Sequence, residues 1–179
     1  MSLSSSLKPW RVAVPGLLFA MTFAGCSSGG LPGVYVANYQ AANAIMPIGH
    51  SYTLVGERHY KVSAAGTAQT PRERVEKIAT ARAAEIGVEQ KLPYFKIANA
   101  SHGVSCREKK KNAKVGDLPA AAYPTVTLDV LYSKTADDAS FQRAADAFTQ
   151  LKGELDAEVV TPETAAATAS ATNAQCGAT

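Results

Sequence analysis

Residues 123–132 constrain the fold more than any other stretch. There Val126, Leu128, Val130 and Tyr132 alternate with Thr125, Thr127, Asp129 and Leu131. A period of two sends the two sets to opposite faces of a strand, one asking for an apolar cover and the other tolerating water. The β-branched and aromatic content suits a pleated surface. Two further runs, residues 50–55 and 59–65, favour strand and are separated by Gly56-Glu57-Arg58, a loop of hairpin length. In the second of them Tyr60, Val62 and Ala64 alternate with His59, Lys61 and Ser63, so it too has one face to bury.

The cover is helical. Thr70 as N-cap, Pro71 at the first helical position and Glu73 three residues after the cap form a capping box. Val75, Ile78, Ala79, Ala83 and Ile86 then make one apolar stripe, with Arg74, Glu76, Lys77, Glu85 and Glu89 expected to face out. Ala79 and Ala83 are small enough to let this helix lie close to a sheet. Pro93 stops it, and residues 94–98 read as a third strand. Residues 99–122 read as a long polar connection containing Gly103, Gly116 and Pro119. A second helix is expected from a cap at Asp137 or Asp138, with Phe141, Ala144, Ala145, Phe148, Leu151 and Leu155 at helical spacing. The predicted fold is α+β, a small antiparallel sheet with two helices packed on one face, in the order β-β-α-β-β-α.

The N-terminal part has a different logic. Lys8 and Arg11 precede an uncharged segment of 14 residues, 12–25, that ends in small residues. As a helix it would span about 21 Å against the roughly 30 Å of a bilayer core, which suits a cleaved export signal better than a permanent span. The run Phe23-Ala24-Gly25-Cys26 resembles the lipobox of bacterial lipoproteins. The resemblance implies that residues 1–25 are removed, that Cys26 carries acyl chains, and that Ser27 directs the chain to the outer membrane, facing the periplasm. One acyl chain anchors only marginally, so stable attachment takes the several chains such lipoproteins carry. Residues 26–48, rich in Gly, Ser, Pro, Ala and Asn, read as a flexible tether. Val34, Tyr35, Val36 and Tyr39 within it either pack on the body or dock on a partner. The α+β domain is expected over 49–158, and the Ala/Thr-rich tail 159–179 is expected to be disordered for want of apolar surface to offset its ordering entropy.

Removal of the signal takes Lys8 and Arg11, leaving 16 of the 18 Lys+Arg against 15 Asp+Glu, a net +1. So neutral a body is a poor partner for nucleic acid. Export also sets an oxidising compartment, in which Cys106 and Cys176 are the pair left once Cys26 is lipidated. They either bridge within the chain, closing about 70 residues for ~4 kcal/mol in the chain-entropy model, or Cys176 pairs with another chain.

Arg107, Lys109, Lys110, Lys111 and Lys114 form the densest charge cluster, relieved by Glu108. It reads either as a solvated loop face or as a site for anionic lipid, lipopolysaccharide or an acidic envelope protein. His50, His59 and His102 lack the spacing of a zinc motif, and the sequence carries neither a Gly-x-Ser-x-Gly elbow nor a phosphate-binding glycine loop. No metal, cofactor or catalytic residue is expected. The function read from the chain is that of a non-enzymatic binding or assembly-support module, membrane-tethered and of unspecified role. The alternative is a periplasmic metal-handling or hydrolytic protein using the histidines.

Gly49-His50-Ser51, Arg58-His59-Tyr60-Lys61-Val62, Gly66, Arg82-Ala83-Ala84-Glu85 and Tyr94-Phe95 occur in that order. The series resembles a group of small proteobacterial envelope lipoproteins of unknown function, over roughly residues 49–98. The resemblance implies that Arg82 and Glu85 are fixed at a helix and sheet junction rather than acting on a substrate.

Overall fold

The computed structural model describes residues 33–44, 46–108 and 120–177. Strands β1 (Gly49–Gly56) and β2 (His59–Ala65) form the expected hairpin and lead into helix α1 (Arg72–Glu89). Then come β3 (Tyr94–Arg107), β4 (Ala121–Ser133), the two-residue β5 (Gln142–Arg143), α2 (Ala144–Ala157) and α3 (Pro162–Gln175). The strands make one antiparallel sheet in the order β1-β2-β4-β3-β5. The fold is α+β, as the alternation predicts.

Strand β4 is central, and buried residues alternate with half-buried ones along almost all of it. Val126, Leu128 and Val130 are fully buried, as is Val62 on β2, while Ser63 and Thr127 share a 3.0 Å hydroxyl contact on the opposite face. Helix α1 covers the apolar face with the predicted stripe: Val75, Ile78, Ala79, Ala83 and Ile86 are all inaccessible to water. Tyr132 ties the two layers together, its hydroxyl donating to the carbonyl of Ala83 at 2.7 Å. Helix α2 packs beside α1 so closely that a Cβ on Gly87 would lie 2.7 Å from that of Ala144.

Four expectations are corrected. Residues 99–107 continue β3 instead of looping, paired with β4 from Asn99↔Asp129 to Arg107↔Ala121 across a bulge that follows Ile97. An outer strand needs no apolar period of its own, because β4 imposes the register and supplies the hydrogen bonds. Pro124 does not interrupt this ladder: its carbonyl accepts from Gly66 N at 2.9 Å, so its missing N–H falls on the side where β2 ends. Helix α2 starts at Ala144, because Asp137 and Asp138 fold a turn instead, Asp138 accepting from the amide of Ser140 at 2.7 Å. Residues 162–175 of the tail are helical, so three helices, not two, cover the sheet. Cys106 lies opposite Ala122, on the same face as Val126, and its disulfide to Cys176 holds α3 there. The fourth correction concerns residues 34–42, which are bound to the domain rather than serving as tether.

Candidate functional site

Residues 33–42 form a strap along α1 and the end of β1, and the receptors that hold it explain several side chains. Thr70 Oγ1 accepts from Ala37 N and from Thr67 N, each at 2.9 Å. It therefore fixes strap and loop rather than capping α1, which has no side-chain cap. Arg74, expected to face out, is buried: its Nε donates to Ala37 O at 2.9 Å and its Nη1 to Leu155 O at 3.1 Å. One guanidinium thus joins the strap, α1 and the end of α2. Tyr35 N donates to Gln69 Oε1 at 2.6 Å, and Thr67 donates to Tyr35 O. Ala37 is 1% exposed. Farther on, His50 N donates to Gln40 O and Ala42 N to His50 O, both at 2.8 Å, a short parallel bridge onto β1. Gly49 makes that approach possible at φ +118°, since a Cβ there would lie 2.3 Å from Gln40 O.

Beside the strap lies an ionic cluster built on buried Arg82, half-buried Glu85 and exposed Glu89. Arg82 pairs with Glu85 and, in a fork, with Glu89 at 2.8 and 3.1 Å, and its guanidinium stacks 4.8 Å from the centre of the Tyr52 ring. Tyr39 donates its hydroxyl to Glu85 at 2.6 Å, and its ring centre lies 4.7 Å from that of His50. Burial disfavours the Glu85 carboxylate, but the hydrogen bonds from Tyr39 and Arg82 outweigh that and hold its pKa below the ordinary value. Burial, then the bond to Glu85, pushes the Tyr39 phenol up. Burial, then the positive charge of Arg82, lowers the pKa of His50. Each buried charge here meets an opposite charge or a hydroxyl. Chemically this joins strap, sheet edge and helix through Arg82, Glu85 and Tyr39.

The sequence-predicted site residues are placed unevenly. Cys106 and Cys176 are brought together as a disulfide with Cα atoms 5.5 Å apart. Arg107 closes β3 with its guanidinium 5.6 Å from the centre of the Tyr123 ring. Cys26, Lys109, Lys110, Lys111 and Lys114 lie outside the described residues. The histidines are kept apart. His50, Ala64, Val126 and His102 stand in one row across four strands, so His50 and His102 are roughly 14 Å apart at ~4.8 Å per strand. His59 belongs to the other face, 3.8 Å from Asp129. Among the described residues no group of three or more His, Cys, Asp or Glu side chains could hold a metal ion.

Sequence reasoning missed Thr70 and Arg74 as receptors of the strap. Their signal was faint but present: Arg74 sits one residue before Val75 and four before Ile78, inside the angular range of the buried stripe. No helix among the described residues is long and apolar enough to cross a membrane. No protein-family model, no curated protein and no solved structure matches the chain.

Proposed function

We propose that the chain is a cell-envelope lipoprotein, anchored through acyl chains on Cys26 in the outer membrane and facing the periplasm, where its α+β body binds a partner or supports an assembly. The observation that carries this reading is the run Phe23-Ala24-Gly25-Cys26 behind an uncharged segment with two preceding cations. The fixed strap supports a close attachment. With residues from Gly33 on bound to the domain, the seven steps from Cys26 reach at most about 25 Å at ~3.5 Å each, so the body works near the headgroups. The ionic cluster of Arg82, Glu85 and Glu89 supports a binding role over a catalytic one, since its charges are engaged with one another.

The same reading gives the basic cluster a ligand. Arg107 and Ala121 bound the segment that contains it, and they lie beyond Gly66 at the end of the sheet where Tyr35 meets Gln69. An anionic surface, lipid or lipopolysaccharide, is the ligand that these flanking positions favour. Intact-mass analysis of membrane-extracted protein tests the anchor: a chain beginning at Cys26 with added lipid mass is expected, and Cys26→Ser is expected to leave it uncleaved or released. Recovery of the wild type as an unmodified soluble protein refutes it.

A further inference from the structure

We propose that the free edge of β1 receives an extended segment of a partner polypeptide as an added strand, with Tyr52, Leu54 and Val55 as its apolar contacts. The proposal rests on the reading of this protein as a binding module and names the surface and the class of partner. β1 is one border of the sheet, and its ladder runs to β2 alone. His50 directs both its backbone groups outward, to Gln40 and Ala42. In an antiparallel pair such residues alternate, so Tyr52, opposite Val62, directs both its groups outward, and Leu54, opposite Tyr60, directs its N–H outward before the register shifts between Leu54 and Gly56. Among the described residues no hydrogen-bond partner outside the β1–β2 ladder meets these three groups.

The side chains along this edge favour occupation. Tyr52, Leu54 and Val55 are 47%, 60% and 50% exposed, and residues 50–56 include no Pro, Lys, Arg, Asp or Glu. The opposite border is guarded. There β5 covers Tyr94 and Phe95, a bulge follows Ile97, and Lys96, His102 and Arg107 break any apolar run. Charges and prolines are among the devices that prevent strand addition, and β1 carries neither; its one irregularity falls between Leu54 and Gly56, next to the hairpin turn. The strap itself shows that the lane beside β1 accepts a strand, since Gln40 and Ala42 already bond there.

The occupant proposed is a linear segment, because the strap already holds the place that a second copy paired about Thr53 would need. A two-fold pairing of β1 with β1 centred on Thr53 would set Tyr52 opposite the copy's Leu54 and bring the copy's Gly56 opposite His50, where Ala41 stands. A strand donated by a partner ends or turns away before that point. Its composition follows from the flanks: apolar at alternate positions, and basic where it passes Arg82, whose single positive charge is faced by two carboxylates, Glu85 and Glu89.

The test uses the full chain and a fluorescein-labelled hexapeptide, Lys-Val-Thr-Val-Thr-Val, followed by anisotropy and by amide hydrogen exchange. Binding is expected, with new protection at the amides of Tyr52 and Leu54. Leu54→Pro removes one outward donor without touching the β1–β2 ladder, and it is expected to weaken binding about tenfold, the equivalent of one backbone hydrogen bond, at unchanged melting temperature. Leu54→Lys provides a second outward change if the proline variant folds poorly. Equal peptide affinity in wild type and variants overturns the proposal, as does no binding by wild type up to about 1 mM peptide. Dimerisation of the protein alone that Leu54→Pro abolishes also overturns it, placing a second copy on the edge. Peptide binding is independent of lipid on Cys26, so failure at the edge is distinguishable from failure of the anchor.

Discussion

The strap at residues 33–42 and the helix α3 both read as mobile in the sequence, and both are docked, by opposite means. The strap has almost no regular structure, yet side chains of the body meet it: buried Thr70 and Arg74 take Ala37 N and Ala37 O, and half-buried Glu85 takes the Tyr39 hydroxyl. α3 is fully regular, with Thr161 accepting from Thr164 N at its start and Pro162 in its first turn, but only Ala165 and Thr172 are buried. Its firm attachment is the Cys106–Cys176 bond. One terminus is held by polar contacts that the core provides, the other by one covalent link. Secondary structure and docking are therefore separate questions: a segment without periodicity can be fixed, and a formed helix can depend on a staple.

The sharpest way to break this contrast is to remove the staple. Replacing Cys106 and Cys176 together by Ser opens a loop of 70 residues and is expected to cost about 4 kcal/mol in urea unfolding. Amide exchange separates the two docking modes. Amides of α3 are expected to lose protection, since a lone helix of 14 residues is marginal in water, while Ala37 and Ala42 keep theirs. Persistent protection in α3 would show that its own packing holds it, and the contrast would fail.

The mirror experiment is Arg74→Ala. It leaves the carbonyls of Ala37 and Leu155 without their donor and removes one of two cations beside Glu158, Lys77 remaining at 3.3 Å. A loss of about 3 kcal/mol is expected from two buried acceptors left unsatisfied. Exchange should rise at the strap and at the end of α2, with α3 unaffected. A loss spread evenly over the whole molecule would mean that Arg74 supports the fold at large rather than the strap.

These two experiments also mark what the sequence made legible. The alternation of β2 and β4 and the stripe of α1 report burial by a periodic surface, and periodicity survives in a single sequence. Hence the α+β class and the apolar core were readable. The strap has no period, and its receptors disguise themselves: Thr70 before Pro71 reads as a cap, and a charged Arg74 reads as exposed. The outer half of β3 was hidden because its pairing is decided by β4. The disulfide was readable as one of two options from the cysteine count, whereas the helix it fastens, nearly all Ala and Thr, has no apolar stripe to announce docking. Of the candidate site, the sequence drew attention to Arg82 and Glu85 only through resemblance, and nothing local in it joined them to Tyr39.

A smaller effect sharpens the strap side alone. Tyr39→Phe keeps the ring beside His50 and deletes the hydroxyl that Glu85 accepts at 2.6 Å. The cost expected is about 1 kcal/mol, that of one hydrogen bond to a partly exposed carboxylate. A carbon-detected titration of Glu85 reads the same bond directly: its pKa should move back up toward the ordinary carboxylate value, because Tyr39 is the foremost of the contacts lowering it. An unmoved Glu85 would show that Arg82 alone sets its charge and that Tyr39 is held by packing.

The smallest expected effect is a pH dependence confined to the strap. His50 is buried beside Tyr39 and its backbone bonds Gln40 and Ala42, so its protonation state acts where the strap meets β1. Burial first, and then the charge of Arg82, lower its pKa in the folded protein from the ordinary 6.5, while Glu85 and Glu89 oppose that shift. The unfolded chain therefore binds this proton more readily than the folded one. The stability from neutral His50 is fully present above pH 6.5 and is lost progressively as the pH falls below that toward the folded value. Glu85, whose pKa is lowered from 4.5, begins to withdraw its contribution only below that pH, so a change made above it reads His50. Lowering the pH from 7.5 to 5.5 should thus raise the exchange-derived opening of Ala42 relative to that of α3, after correction for the intrinsic pH dependence of exchange. His50→Gln, which cannot take the proton, should flatten the response. An equal response in the variant would move the origin away from His50, and an equal response in α3 would erase the distinction between the two docked ends.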